Sequence, residues 1–446
     1  MLCSWPFSLK ILWAPIVDSV YDRRFGRRKT WLVPVQLSLG MGLYTCATHI
    51  EEWLKEGDLQ IGPLTALMFV NYFLAATQDI AVDGWALTML KNTGWASTCN
   101  SVGQSIGVLV ASTLYFFMAS NQLITLPAFL QCCAAIFVVV TLVLAVSVRE
   151  TGPPPCVISV ASPEFESAES GGSKKSPINA TVTERKVANA HRANGGAAKA
   201  AAPYGDDASA WSVYQQMLLV VKLPRVRELL LVLFTWKAGF ACTDAAFFLK
   251  LQDKGFSKES ITYLRTIMSP IEFVMPILAS HYTTGPRPLD LAMWQYVPRL
   301  LLGAVACGLV AYTPEEIGWE FTAVVMLFMA VHSAMSTSMF TAQMAFFARV
   351  SDPEIGGSYM TLLNTFANLG YLWTTMVATR LVDMLTVKSE DGEVEIDGFY
   401  ATSMLTLGLG LIWFVLMRHR VESIQVAHMS SWRVAAIRRG RATSTL

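Results

Sequence analysis

Charged and amide side chains stand in pairs at helical spacing inside long apolar stretches of this sequence. The pairs are Asp79 and Asp83, Asn100 and Gln104, Lys237 and Asp244, Arg265 and Glu272, and Asn364 and Asn368. Residues four or seven positions apart share one face of an α-helix. An ionisable group in hydrocarbon is costly unless it faces a cavity or a partner. The pairs therefore predict polar helix faces that line the interior of a bundle.

The stretches that carry these pairs predict a membrane protein. Of the 446 residues, 53% are hydrophobic and 15% are charged, against about 25% charged residues in soluble domains. About eleven apolar stretches are long enough to cross a bilayer, so we expect an all-α membrane protein. The expected spans are 1–20, 30–48, 63–90, 97–118, 126–148, 229–251, 260–282, 296–312, 321–347, 358–385 and 400–417.

The apolar spans without polar pairs recur with a period of three. The second, fifth, eighth and eleventh spans are almost wholly apolar. In a twelve-helix transporter of the major facilitator type, helices 3, 6, 9 and 12 face lipid, which matches if one helix precedes the first span. Two halves of six helices then surround a midplane site. We expect an N-terminal half at 1–148, without the first helix, and a six-helix half at 224–417, in a 5+6 arrangement.

The segment 149–223 between the halves is rich in Pro, Ser, Ala and Gly. This composition predicts a disordered linker, with an interfacial helix at 211–221. Basic residues follow the first span and fill the tail 418–446, whereas acidic residues follow the second span. Because Lys and Arg resist translocation, we expect the linker and the basic tail in the cytosol. The Asn179 sequon should then stay unmodified.

Several longer motifs resemble the acetyl-coenzyme A transporter family of the endoplasmic reticulum membrane. They are LWAPIVD at 12–18, FGRRKTWLVP at 25–34, AATQDIAVDGWALTML at 75–90, ASTCNSVGQ at 96–104 and VSDPEIGGSYMTLLN at 350–364. The resemblance implies a carrier of acetyl-CoA from the cytosol into the endoplasmic reticulum lumen by alternating access, without a cofactor. The chain begins inside the helix that resembles the family's second. We therefore expect a truncated gene model that does not transport without an upstream helix.

The phosphates of acetyl-CoA require cations, which makes Lys237 and Arg265 candidates for substrate binding. In the alternative interpretation, each pairs with a carboxylate, Asp244 or Glu272. Arg299 is a further candidate, although we expect it to extend to the lipid headgroups. Asn364 and Asn368 complete the substrate-binding candidates, since they share a face of a polar span.

The Asp79 and Asp83 carboxyls either relay protons or order their helix through bonds to Asn100 and Gln104, and we favour the second role. The loop after the first span resembles the cytosolic gate of the superfamily, and its basic cluster also acts as a topology signal. The gate candidates are Asp18, Arg23, Gly26, Arg27 and Arg28.

Three other functions are alternatives to acetyl-CoA transport. An AmpG-like permease for another anionic amphiphile shares the architecture, and a truncated scaffold that does not transport is also compatible with the sequence. A membrane-embedded acyltransferase would need a partner for His332, so we predict no enzyme. The eight cysteines show no metal-ligand spacing, and a net charge of +1 gives no support for nucleic-acid binding. The expected partners are acetyl-CoA and lipid, with a homodimer left open.

Overall fold

The computed structural model describes residues 5–22, 24–55, 59–90, 92, 94–148, 150, 210–388 and 394–434. These residues belong to one compact unit. Most of the expected linker, the Asn179 sequon, Arg23 of the expected gate and the end of the tail lie outside them.

The first half consists of helices that run back and forth. They are α1 Trp5–Leu9, α2 Ala14–Ser19, α3 Lys29–Trp53, α4 Ile61–Met89, α5 Gly94–Val108, α6 Tyr115–Ser120 and α7 Leu126–Ser147. A 3-10 turn, Lys10–Leu12, joins α1 to α2, and a π-helical segment, Leu109–Leu114, joins α5 to α6. A short helix, α8 Ala210–Lys222, precedes the second half, where a helix at 211–221 was expected.

The second half also consists of helices that run back and forth. Its helices are α9 Pro224–Thr235, α10 Ala241–Asp253, α11 Lys258–Thr283, α12 Leu289–Ala311, α13 Trp319–Val350, α14 Gly356–Leu385 and α15 Gly398–Val426. A small antiparallel hairpin, β1 Val387–Lys388 with β2 Val394–Ile396, lies between α14 and α15. Helix α15 continues beyond the expected span end at Met417, so the first part of the expected tail is helical.

Each expected span overlaps at least one of these helices. By length and hydropathy, six described segments qualify as membrane spans: Ile61–Met89, Leu126–Ser147, Pro224–Asp253, Leu289–Ala311, Trp319–Val350 and Gly398–Val426. Helix α7 is the most lipid-like of these, since Ala134 and Thr141 are its buried residues. The Thr141 hydroxyl donates to the Gln36 side-chain oxygen at 3.1 Å and fixes α7 against α3.

Two expected continuous spans are broken helices. Pro15 lies in the first turn of α2, where its missing N–H is tolerated, and the preceding residues form the 3-10 turn. In the second half the chain leaves the α-helix at Trp236 and Lys237, before Gly239. A Cβ atom at Gly239 would lie 2.7 Å from the Cα of Gly410, so the broken segment approaches α15 closely there. Broken helices are typical of the binding sites of transporters.

Aromatic residues hold the second half together behind this break. Tyr296 is fully buried and stacks on Trp413, with ring centres 4.8 Å apart. Its hydroxyl donates to the Trp236 carbonyl oxygen at 3.2 Å, which satisfies a backbone group at the break. Packing thus stabilises the irregular backbone from outside the cavity.

Candidate functional site

A cavity of about 700 Å³ lies among the helices of the second half and reaches Val108 of α5. Two of the three polar pairs that the sequence placed on helices of this half line it, together with a further arginine, whereas Asn364 and Asn368 do not. The charged side chains in its wall are Lys237, Asp244, Arg265, Glu272 and Arg299. The polar faces of these two pairs therefore meet in one cavity.

Asp244 is the centre of an ion-pair network in the cavity wall. Its Oδ2 lies 3.0 Å from Nη2 of Arg299, and its Oδ1 lies 3.1 Å from Nε2 of His332. Arg299 is buried, 3% exposed, with its guanidinium over the Phe240 ring. The expectation that Arg299 extends to headgroups is wrong, because α12 turns this side chain inward toward the Asp244 carboxylate. His332 is therefore held by Asp244 in the cavity wall, a partner that the sequence pattern did not indicate.

The other two cations of the cavity form no direct salt bridge among the residues that the structure describes, although Asp244 attracts Lys237 at longer range. The ammonium of Lys237 lies 5.8 Å from the Tyr371 ring centre, and the guanidinium of Arg265 lies 4.6 Å from that of Phe248. Glu272 instead accepts a hydrogen bond from the Ser333 hydroxyl at 3.0 Å. The alternative pairing of Lys237 with Asp244, or of Arg265 with Glu272, is therefore absent here.

This arrangement leaves the cavity positively charged. Three cationic side chains face two carboxylates, a surplus of one positive charge while His332 is neutral. Phe247, Phe248 and Phe328 supply apolar surface beside these charges. A wall with unpaired cations and aromatic faces suits an anion that also carries an apolar or ring-shaped part.

A second polar cluster lies between the two halves, away from this cavity. Asp83 is buried, with amide nitrogens of Asn100 and Asn364 each 3.5 Å from its oxygens. The Gln104 amide donates to the Asn100 side-chain oxygen at 2.8 Å. Asn364 therefore faces Asp83 across the interface of the halves. Asn368 is exposed and is not among the residues that line the cavity.

Asp79 has a partner that the sequence analysis missed. It forms an ion pair with Lys10, whose side chain is 4% exposed in the 3-10 turn between α1 and α2. The signal was present, since Lys10 is a charged residue within an apolar span. The expected bonds from Asp79 to Asn100 and Gln104 are not among the contacts of the described residues.

Asp18, Arg27 and Arg28 of the expected gate form a latch at one end of the bundle, which we call the gate end. Asp18 is buried and pairs with Arg28, and the Nε of Arg27 donates to the Asp18 carbonyl oxygen at 2.7 Å. Arg27 also donates to the Glu354 carbonyl oxygen of the second half at 2.6 Å. Burial, together with the nearby Asp352 carboxylate, raises the pKa of the Glu354 carboxyl. The latch therefore joins the two halves.

Gly26 and Glu150 shape the loop that presents these arginines. Gly26 has φ +98°, a conformation that favours glycine. The Glu150 carboxylate accepts the backbone N–H groups of Arg28, at 2.9 Å, and Lys29, at 3.3 Å, and so caps the start of α3. Glu150 was not a sequence candidate, since nothing in its local pattern distinguishes it.

A second contact closes the gate end. The start of α5 meets the end of α11, where a side chain at Gly94 would lie 2.8 Å from the Thr284 Cα. Ser105 of α5 also donates to the Glu272 carbonyl oxygen at 2.8 Å. Both halves are thus packed together on the gate side of the cavity. In the described part of the chain no cluster of His, Cys, Asp and Glu could hold a metal ion.

Comparisons with known proteins agree with this architecture. The family model described as acetyl-coenzyme A transporter 1 matches residues 1–292 and 287–392. An uncharacterized membrane protein of Saccharomyces cerevisiae is 26% identical over 97% of this chain and 89% of its own length. An uncharacterized protein of Schizosaccharomyces pombe is 29% identical over 97% of this chain and 81% of its own.

Two further comparisons concern the transporter fold. An anhydromuropeptide permease of Escherichia coli is 29% identical over 119 residues, which are 26% of this chain and 23% of the permease. A solved structure of the proton:xylose symporter XylE bound to 6-bromo-6-deoxy-D-glucose has a TM-score of 0.52 at 12% identity. It covers 94% of this chain and 84% of the symporter. This likeness shows the fold alone, and it confirms the prediction of a major facilitator fold.

Proposed function

The chain belongs to the acetyl-coenzyme A transporter family, and from this premise we propose that it carries acetyl-CoA from the cytosol into the endoplasmic reticulum lumen by alternating access. The observation that carries the proposal is the surplus cationic charge of the cavity. Lys237 and Arg265 line it without a direct salt bridge among the described residues. Acetyl-CoA bears a pyrophosphate and a ribose phosphate, whose charge these cations would compensate.

The rest of the cavity suits the uncharged parts of this substrate. Its volume of about 700 Å³ falls within the range of about 300–1,000 Å³ that is usual for ligand pockets. Phe248 is partly exposed and offers apolar ring surface to an adenine base, while the buried Phe247 and Phe328 support the wall behind it. The Asp244, Arg299 and His332 network would orient the wall rather than compensate the phosphates, since its charges are already paired.

The gate gives the proposal a direction. Arg24, Arg27 and Arg28 lie at the gate end, and Glu315, Glu316 and Glu320 lie in or beside the loop between α12 and α13 at the other end. By the positive-inside rule the gate end faces the cytosol. The Asp18 carboxylate of the latch also accepts the Ser358 backbone N–H of the second half at 2.6 Å. The latch then closes the cytosolic entrance, so this conformation corresponds to release toward the lumen.

Uptake by the purified protein tests the proposal. Because the chain is expected not to transport without an upstream helix, this and all later uptake measurements use the protein with such a helix added. In proteoliposomes we expect saturable accumulation of acetyl-CoA labelled on the adenine ring, with inhibition by unlabelled coenzyme A. Free acetate should not inhibit, because it lacks the phosphates that Lys237 and Arg265 are proposed to bind. Accumulation no faster than in protein-free liposomes would contradict the proposal.

One observation favours a second candidate, a permease for another anionic amphiphile. The match to the Escherichia coli anhydromuropeptide permease covers 26% of this chain. Competition distinguishes the two candidates. An anhydromuropeptide that inhibits acetyl-CoA uptake, or is itself accumulated, would support the second; we expect neither, since the match is confined to a quarter of the chain.

A further inference from the structure

A second cavity, of about 440 Å³, lies at the gate end where the two halves meet. Asn92 and Gly94 come from the first half, and Thr283, Thr284, Gly285 and Arg349 come from the second. Arg349 lies in the last turn of α13, 17 residues beyond His332 of the substrate cavity. At a rise of about 1.5 Å per residue the two positions are about 25 Å apart along the helix.

Two polar groups in the wall of this cavity are buried without a hydrogen-bond partner in the part of the chain that the structure describes. They are Nη1 of Arg349 and Oγ1 of Thr283. Thr283 is 1% exposed. Arg349 as a whole is half-buried, and Nη1 is its enclosed atom. A buried donor without a partner costs free energy, more so when it is charged. These groups would be satisfied by a ligand that accepts hydrogen bonds and carries negative charge.

The charge of the cavity selects the kind of ligand. Besides Arg349, its described lining consists of Asn, Gly, Thr, Pro and Ala residues, so no carboxylate of the lining neutralises the guanidinium. Arg offers several N–H donors in a planar fork that matches the oxygens of a phosphate group. A tetrahedral oxyanion can accept from Arg349 and Thr283 at the same time, because its oxygens point in different directions.

We propose that this gate-end cavity is a binding site for a phosphoryl group, distinct from the substrate cavity. The walls come from both halves and touch where a side chain at Gly94 would lie 3.2 Å from the Thr283 carbonyl oxygen. A bound phosphoryl group therefore stabilises the conformation in which the gate end is closed. The phosphoryl group belongs either to a free phosphate in solution or to the headgroup of an anionic lipid.

The test measures how inorganic phosphate shifts the thermal unfolding temperature of the purified protein in a neutral detergent, at constant ionic strength. We expect a saturable upward shift in the native protein. Arg349→Gln should raise the apparent dissociation constant by about tenfold or more, since it removes hydrogen bonds to a charged group. Thr283→Val should raise it severalfold while leaving the unfolding temperature without phosphate unchanged or higher, because a buried hydroxyl without a partner is removed.

Matched variants keep the test specific. Thr402→Val also removes a buried hydroxyl without a partner among the described residues, but far from this cavity. Arg227→Gln removes an exposed positive charge. Both should retain the native response to phosphate. Lys237→Ala should retain it as well, which places the site outside the substrate cavity and separates its outcome from that of acetyl-CoA uptake.

The source of the phosphoryl group is tested in nanodiscs. Without added phosphate, a higher unfolding temperature in phosphatidic acid nanodiscs than in phosphatidylcholine nanodiscs, lost in Arg349→Gln, would assign the site to a lipid headgroup. A response to inorganic phosphate alone would assign it to the free anion. The proposal is overturned if neither probe stabilises the native protein, if acetate does so equally well, or if Arg349→Gln and Thr283→Val respond as the native protein does.

Discussion

The Asp18 carboxylate of the first half accepts a hydrogen bond from the Ser358 backbone N–H of the second half, with Oδ2 2.6 Å from the nitrogen. Its Oδ1 pairs with the Arg28 guanidinium, and both side chains are almost fully buried. One carboxylate therefore holds the loop of the first half and the start of α14 together. Closure of the gate end therefore depends on the negative charge of the Asp18 carboxylate as well as on its shape.

Replacing that charge should loosen the gate. In Asp18→Asn the Arg28 guanidinium keeps its buried position without a carboxylate, which costs about 3–5 kcal/mol. We expect Ser358→Cys to react several times faster with a membrane-impermeant maleimide when combined with Asp18→Asn, in a background without the exposed Cys99 and Cys132. Asp22→Asn, in the same loop but at an exposed carboxylate, is the control. Equal labelling rates in the two variants would refute a role for the Asp18 charge.

A methyl group at Gly357 should block the same contact by size. Its Cβ would lie 2.8 Å from the Ile80 carbonyl oxygen and 2.9 Å from Asp18 Oδ1. Overpacking costs about 1–3 kcal/mol, which disfavours the closed gate by roughly five- to 150-fold. We expect Gly357→Ala to insert normally into the membrane but to slow acetyl-CoA uptake by a similar factor. Gly308→Ala, whose Cβ would meet nothing within 4 Å, should transport normally, and equal uptake by both variants would argue against steric closure.

The sequence predicted which residues share an interior more reliably than which residues pair. The polar periods of Lys237, Asp244, Arg265 and Glu272 indicated inward faces, and those faces meet in one cavity. Periodicity describes one helix at a time, so it could not indicate that Arg299, on a span expected to face lipid, would take Asp244 as its partner. Nor could it find the Ser358 N–H, because a backbone donor leaves no trace in residue type.

The two kinds of cation in the substrate cavity should respond differently to truncation. Arg299→Ala removes the main partner of the Asp244 carboxylate, so we expect about 3–5 kcal/mol of destabilisation and a lower unfolding temperature. Lys237→Ala and Arg265→Ala remove no ion pair of the described residues, so they should fold normally and lose acetyl-CoA uptake. Thermal unfolding and proteoliposome uptake, measured on the same preparations, separate the two effects. Loss of uptake that follows loss of folded protein in Lys237→Ala would contradict direct substrate binding.

Topology can be tested in sealed microsomes. The charge alternation predicts that the segment 149–223 and the tail after Met417 face the cytosol. Protease added outside should cut both, and Asn179 should carry no glycan. A lumenal tag inserted between β1 and β2 should stay protected and serves as the control for sealed vesicles. Protection of the segment 149–223 from protease, or a glycan at Asn179, would show that the protein has the opposite orientation.

The Lys10 and Asp79 pair should behave as a buried structural ion pair with unequal partners. The Lys10 side chain is 4% exposed and that of Asp79 is 30% exposed. Asp79→Asn leaves the more deeply buried charge without a partner, so it should lower the unfolding temperature more than Lys10→Met does. The double variant Lys10→Met with Asp79→Leu should recover most of the loss, because neither charge then needs a partner.

Uptake by the double variant distinguishes this role from proton relay. A structural pair predicts that uptake recovers along with stability, whereas a relay predicts a stable protein that no longer transports. The exposed pair of Arg418 and Glu422, 3.2 Å apart, is the control, since surface pairs contribute only about 0–1 kcal/mol. Its single variants should barely change the unfolding temperature. Recovery of stability without uptake would assign Asp79 to coupling and overturn the structural interpretation.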